Sequence, residues 1–242
     1  MLGALAKYFK QIVVSFVCLF ITLIVMRWFI EARYVPSSSM EPTLAIGDRF
    51  LVEKVSRHLG RPIERGEILL FYPPPIELGG KDLTNEPLSI LGRVTGLPFV
   101  PYDPAFIKRV VGLPGEKIEI KKGEGVFIND ALLNEKAYLQ DFVKQYDNGQ
   151  QEVVNVAPNY DLKVLGDMGG RDAKGNVFKP FPDKRQASKP IVVPSGELFV
   201  MGDNRNNSED SHVWGFLDQD RIIGKAWIKI APKFVSLEPQ KH

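Results

Sequence analysis

The 242-residue chain is poor in the residues from which cross-links and metal centres are made. Its one cysteine, Cys18, lies in the most apolar segment, so no intrachain disulfide can staple the fold. Its three histidines, His58, His212 and His242, have no second His or Cys at ligand spacing, which argues against a zinc site. A block of like charge is also missing. The 31 Lys and Arg stand against 29 Asp and Glu, a net charge of +2, and no basic run would track a phosphate backbone. A metalloenzyme and a nucleic-acid binder are both set aside on these grounds. No internal repeat is present, and beyond Tyr34 no long apolar pattern of period 3.6 appears.

Charge is absent from Ile12 to Met26, and after Arg27 the apolar character resumes with Trp28, Phe29 and Ile30. At ~1.5 Å per residue, a helix from Ile12 to Ile30 covers most of a ~30 Å hydrocarbon core, with Arg27 snorkelling and Trp28 at the interface. Lys7 and Lys10 precede the run and favour a cytoplasmic N-terminus, although Arg27 and Arg33 follow it with only Glu31 to offset them. A cleaved signal sequence is the competing reading. Its apolar region is typically about 7 to 15 residues and ends at a small-x-small site. Here the run ends in Ile30-Glu31-Ala32, with no Ala-x-Ala. The expected organisation is a cytoplasmic N-terminus and transmembrane anchor over 1–34 and a β-rich domain over 35–242.

The remainder alternates short β-branched and aromatic runs with turn residues. Phe50 to Val52, Ile68 to Tyr72, Phe106 to Val111, Lys117 to Ile120 and Glu197 to Met201 read as strands. Gly47-Asp48, Pro73-Pro74-Pro75, Gly79-Gly80, Pro114-Gly115, Asn129-Asp130 and Ser195-Gly196 read as turns. The expected class is mainly β, an antiparallel sheet preceded by one transmembrane helix. From about 140 to 190 the chain is polar and rich in Gly, Pro, Asp and Lys, which predicts a surface extension or long loops.

Three clusters could carry chemistry. Pro36-Ser37-Ser38-Ser39-Met40-Glu41-Pro42-Thr43-Leu44 concentrates hydroxyls between prolines beside a membrane. It fits a juxtamembrane linker, but the apolar Met40 and Leu44 also suit a packed turn. A serine there needs a base. The histidines are badly placed for a triad, and neither a Gly-x-Ser-x-Gly elbow nor a Ser-x-x-Lys motif exists.

Phe106-Ile107-Lys108-Arg109-Val110-Val111 sets two adjacent cations in an apolar strand. Alternation puts Lys108 with Phe106 and Val110, and Arg109 with Ile107 and Val111. Lys108 is then either the solvent-facing residue of an edge strand or a desolvated amine tuned toward pKa ~7 to 8 and able to accept a proton. The third cluster, Gly202-Asp203-Asn204-Arg205-Asn206-Asn207-Ser208-Glu209-Asp210-Ser211-His212, reads equally as an elaborate turn or as a loop that orients the lysine.

Taken together and in this order, with Gly47-Asp48-Arg49-Phe50-Leu51-Val52-Glu53-Lys54 after the serines, the clusters resemble bacterial type I signal peptidase, the leader peptidase family of Ser/Lys serine proteases. The resemblance runs from the anchor to Gly215, leaving about 140–190 unmatched. It implies a signal-peptidase-type β domain with Ser39 as nucleophile and Lys108 as general base. It further implies that Ser37 joins the Ser39 backbone N–H in the oxyanion hole, that Ser208 orients Lys108, that Asp203 pairs with Arg109, and that Asp210 supports the same loop. Val35, Pro36, Met40, Leu44, Phe106 and Ile107 fall where the family lines shallow pockets for small residues before the cleaved bond, as in Ala-x-Ala. Asn206 departs from the usual aspartate and His212 from the usual arginine; the expectation is that His212 still hydrogen-bonds Asp210.

The partners so implied are preproteins bearing signal peptides and the lipid membrane, with no nucleic acid, no metal and no cofactor. The expected location is a plasma membrane, or a thylakoid membrane if the host has one, with the β domain on the extracytoplasmic side. Ser39 lies nine positions beyond Ile30, within about 30 Å of the anchor's end at ~3.6 Å per residue. Two rivals remain: a noncatalytic membrane-tethered β binding domain, and a self-cleaving Ser/Lys protease.

Overall fold

The computed structural model describes residues 2–78, 104–145, 149–171, 177–181 and 183–237, with the isolated positions 87 and 92. The Gly79-Gly80 turn expected from the sequence lies outside the described residues. The uncharged run becomes α1 (Leu2–Phe29). Its stretch Lys7–Phe29 has a mean hydropathy of 2.4 and is not buried in the protein, and it is long and apolar enough to cross a bilayer. The helix starts earlier than Ile12 and stops one residue short of the expected end. At Phe29 the carbonyl takes a sheet partner, the Lys54 backbone N–H at 2.9 Å, and Ile30 opens a strand.

The chain then runs through β1 (Ile30–Tyr34), β2 (Arg49–Glu53), β3 (Ile68–Phe71) and β4 (Phe106–Gly112). It leaves for β5 (Lys117–Lys121), β6 (Gly125–Ile128) and β7 (Ala131–Leu132), then β8 (Phe142–Gln145) and β9 (Gln151–Val154), β10 (Gly170–Arg171) and β11 (Val177–Phe178), and β12 (Ile191–Val192). It returns as β13 (Glu197–Met201), β14 (Leu217–Asp218), β15 (Ile222–Ala231) and β16 (Val235–Ser236). The main sheet has the order β1-β2-β15-β3-β4-β13-β14, with β16 added on β15, and its pairings are antiparallel. A second sheet has the order β12-β5-β6-β7. Its tightest turn is Asn129-Asp130, with φ of 49° and 68°, the left-handed pair that a two-residue hairpin demands and that Asn and Asp tolerate.

Two of these strands were not legible in advance. Ile30–Tyr34, expected to end the anchor, is the edge strand of the main sheet, paired along its length with β2. β15, the longest described strand, carries charge and glycine among its apolar residues and shows no clean alternation. Between α1 and the sheet, Glu31 (4% exposed) draws in Arg27 at 3.1 Å, Arg33 at 2.6 Å and Lys54 at 2.6 Å. Arg27 therefore turns from the helix end into an ion cluster rather than reaching freely for solvent.

The strands β3 and β4 lie in the middle of the sheet and are buried on both faces. Ile68, Leu70 and Ile107 join Val35, Met40, Leu44 and Phe50 in one core. Leu69, Phe71, Val110 and Val200 join Trp214 in another. The second sheet encloses a third core, to which the polar 140–190 segment contributes Leu162 and Met168, both almost fully buried. That segment is thus not purely a surface extension: Leu162 bridges to Ile120, and this fixes the extension against the second sheet.

Candidate active site

The alternation of β4 sets the site. Opposite Leu69 and between Phe106 and Val110, Lys108 is 5% exposed. It is no edge residue, since β3 pairs on one side of its strand and β13 on the other. Burial pushes its pKa down, against the opposing pull of the Asp210, Asp203, Glu209 and Glu77 carboxylates. Its Nζ donates to Ser39 Oγ at 2.7 Å.

Ser39 sits in the one-turn 3-10 helix Ser38–Met40, a packed turn rather than a linker. Two apolar anchors, Met40 and Leu44, are fully buried beneath it. The loop after β13 laces the turn from above. The backbone N–H of Asn204 donates to the Ser39 carbonyl at 3.1 Å. Its side-chain amide donates to the Ser38 carbonyl at 3.2 Å, and Asn207 Nδ2 donates to Ser38 Oγ at 2.8 Å.

On the other face of β4, Arg109 forms a bidentate pair with Asp203, Nε to Oδ1 at 2.8 Å and Nη2 to Oδ2 at 2.7 Å. Thr43 donates to the same carboxylate at 2.6 Å, Arg109 Nη1 donates to the Gly66 carbonyl at 2.8 Å, and the Tyr138 ring covers the guanidinium at 3.8 Å. Burial disfavours the Arg109 charge, but Asp203 more than offsets this and holds its pKa above the ordinary value. Asp210 is wholly buried and accepts from the Gly202 N–H at 2.9 Å and from the His212 N–H at 3.2 Å. Its Oδ1 also lies 2.7 Å from His212 Nδ1, the hydrogen bond expected where an arginine is usual. Burial raises the Asp210 pKa, yet His212, Lys108 and the Gly202 N–H together bring it below the ordinary carboxylate value.

Ser37 Oγ lies 3.4 Å from Ser39 Oγ. Ser208 Oγ is buried without a hydrogen-bond partner, so it makes no bond to Lys108 here. The cleft over Ser39 and Lys108 encloses about 860 Å³, and Pro36, Phe106 and Ile107 are among the residues that line it. Val35, Met40 and Leu44 are instead core residues below it, because the turn needs them as its floor.

A family model described as signal peptidase, peptidase S26, matches residues 6–231. The chain belongs to that family. A probable signal peptidase I-1 from Synechocystis sp. is 33% identical over 228 residues, covering 93% of this chain and 84% of the relative. A signal peptidase I from Leptolyngbya laminosa is 33% identical over 202 residues, covering 84% and 69%. A solved signal peptidase I from Enterococcus faecalis aligns over 68% of this chain and 97% of its own at 22% identity, with a TM-score of 0.33.

Sequence reasoning missed several residues of this candidate site. Tyr34, Phe50, Leu70, Pro104, Ala105 and Val213 complete the apolar lining of the cleft. Gly202 is the spacer between two serines: a β-carbon there would lie 2.3 Å from Ser208 Oγ and 2.4 Å from the Ser39 carbonyl. Arg205, among the largest fully buried side chains, holds the loop from inside through a fork to Glu135 and a 3.1 Å bond to the Gly202 carbonyl. A single glycine and a loop arginine carry no signal until their neighbours are known. Among the described residues no group of three or more His, Cys, Asp or Glu is gathered to hold a metal ion.

Proposed function

We propose that this chain is a membrane-anchored serine endopeptidase that removes signal peptides from exported preproteins, cutting after small residues of the Ala-x-Ala type. The observation that carries the reading is the 2.7 Å contact between a desolvated lysine and a turn serine in a chain of the signal peptidase family. A serine hydroxyl is a weak nucleophile, and a neutral amine within hydrogen-bond reach is the base it lacks.

In the first step Ser39 Oγ attacks the scissile carbonyl while its proton passes to Lys108 Nζ. The Ser37 hydroxyl and the Ser39 backbone N–H receive the charge that develops on the carbonyl oxygen. Lys108 returns the proton to the departing amine, which is the new N-terminus of the mature protein, and an acyl-enzyme remains. Water then gives a proton to Lys108 and attacks the ester, and as the tetrahedral intermediate collapses Lys108 passes that proton to the leaving Ser39 oxygen, which releases the signal peptide and restores both residues. Ser208 receives the Lys108 ammonium when Ser39 no longer can, which gives its unpaired hydroxyl a partner during the cycle.

The substrate lies extended along the cleft, with its small side chains against Pro36, Phe106 and Ile107. The N-terminus of α1 is cytoplasmic and the β domain extracytoplasmic, so the site meets signal peptides while they are still in the membrane. The anchor ends at Phe29 and the catalytic domain begins with β1. Detergent-solubilised wild type, Ser39→Ala and Lys108→Met, each incubated with a preprotein, test this reading. Wild type alone processes the substrate; equal processing by all three overturns it, and Ser39-dependent self-cleavage without preprotein cleavage would favour the self-cleaving rival.

A further inference from the structure

The 140–190 extension sends one short loop to the active site, and that contact is specific. Asn206 faces the cleft and spends its whole side-chain amide on the extension: Nδ2 donates to the Asn155 and Ala157 carbonyls, both at 2.9 Å, and Oδ1 accepts the Asn159 N–H at 2.8 Å. Two carbonyls and one N–H fix which end of the amide points where. An aspartate at 206 would set a carboxylate oxygen against both carbonyls.

The next residue, Tyr160, lies flat on the His212 imidazole, with ring centroids 4.5 Å apart and an interplanar angle of 18°. The phenolic oxygen of Tyr160 is buried without a partner, so stacking and apolar packing hold the ring. His212 lines the cleft and is held by Asp210, whose carboxylate is the strongest of the charges acting on Lys108.

We propose that residues 155–160 are a built-in support of the active site, with Asn206 clamping the loop backbone and Tyr160 pressing His212 onto Asp210, so that both act as positioning residues for Lys108. The titratable and charged groups facing His212 are Asp210 and Glu209 on its own loop, Lys108 from β4 and Tyr160 from the extension, with the Arg205–Glu135 pair behind Tyr160. When the stack is lost, His212 loosens and Asp210 is less well compensated. A less compensated anion stabilises the Lys108 ammonium, so a higher pH is needed to free the base.

The inference rests on the peptidase reading above, and the experiment separates the two. Full-length wild type, Ser39→Ala, Tyr160→Leu, Tyr160→Phe, Asn206→Asp and His212→Arg are purified in detergent and assayed on a preprotein across pH, with thermal unfolding as a folding control. Tyr160→Leu lowers kcat by about 10- to 100-fold through lost positioning and moves the acid limb of kcat/KM to higher pH. Asn206→Asp moves it the same way, and Tyr160→Phe, which keeps the ring, restores the wild-type profile.

In the His212→Arg background, where a permanent cation pairs with Asp210, Tyr160→Leu has a smaller effect than in wild type. NMR titration of the His212 imidazole, assigned by its loss in His212→Arg, is recorded for wild type and Tyr160→Leu and reads the support without turnover. An unchanged profile and kcat in Tyr160→Leu, or an unchanged His212 titration, overturns the inference. A wild type that cleaves no preprotein overturns the peptidase reading instead, and leaves the His212 titration to decide the support.

Discussion

Arg109 and Asp203 meet through two parallel hydrogen bonds on the face of β4 opposite Lys108. Adjacent residues of one strand thus serve different ends: Lys108 reaches the Ser39 hydroxyl, and Arg109 ties the loop after β13 to the serine turn through Asp203 and Thr43. Both charges are buried, so removing one strands the other. Asp203→Ala is expected to cost about 3–5 kcal/mol of stability, read by denaturant unfolding. Arg109→Met with Asp203→Leu costs less than Asp203→Ala alone, because no charge is left uncompensated.

As the proposed base, Lys108 must be neutral to act, and burial holds its pKa below the ordinary lysine range. Activity is therefore lost as pH falls through that lowered value, and the acid limb of kcat/KM lies well below the ~10.4 of free lysine. Glu77 and Glu209 oppose the shift. Glu209→Gln removes one of those anions and moves the acid limb to lower pH; a move to higher pH would contradict this electrostatic account.

The same burial makes Lys108 a cost to the fold. Its folded-state pKa lies below its unfolded value, so at neutral pH the unfolded chain holds a proton more readily than the folded one. This penalty shrinks as pH rises toward the unfolded value. Lys108→Met removes the penalty and keeps a chain of similar length. The variant should be inactive yet unfold at an equal or higher temperature than wild type at pH 7, with the difference narrowing as pH rises.

Gly202 tests the packing between the two serines. The Gly202→Ala β-carbon has no room against Ser208 Oγ or the Ser39 carbonyl, and the second of these is backbone. Overpacking of this kind costs about 1–3 kcal/mol and shifts the backbone. Gly202→Ala should lose most activity while remaining folded, and Ser208→Ala in the same chain should not restore it. A wild-type rate for Gly202→Ala would show that the serine turn moves freely.

Some of this molecule is local and could be read directly. The uncharged run made α1, alternation put Lys108 with Phe106 and Val110 and Arg109 on the other face, and Asn129-Asp130 made a left-handed turn. Each depends on side-chain periodicity or backbone sterics within a few residues. Pairing Ser39 with Lys108 needed the order of the clusters and the resemblance it supports, because no local rule joins residues so far apart in the chain.

Tertiary structure alone decided the rest. Ile30–Tyr34 is a strand because β2 lies beside it, and Val35, Met40 and Leu44 are floor rather than lining because the sheet closes beneath the turn. Gly202 matters through the Ser208 and Ser39 atoms that a β-carbon there would strike, and Tyr160 through the ring it covers. Residue type and spacing set which groups the chain can offer; partner, depth and distance come only from segments that meet across the fold.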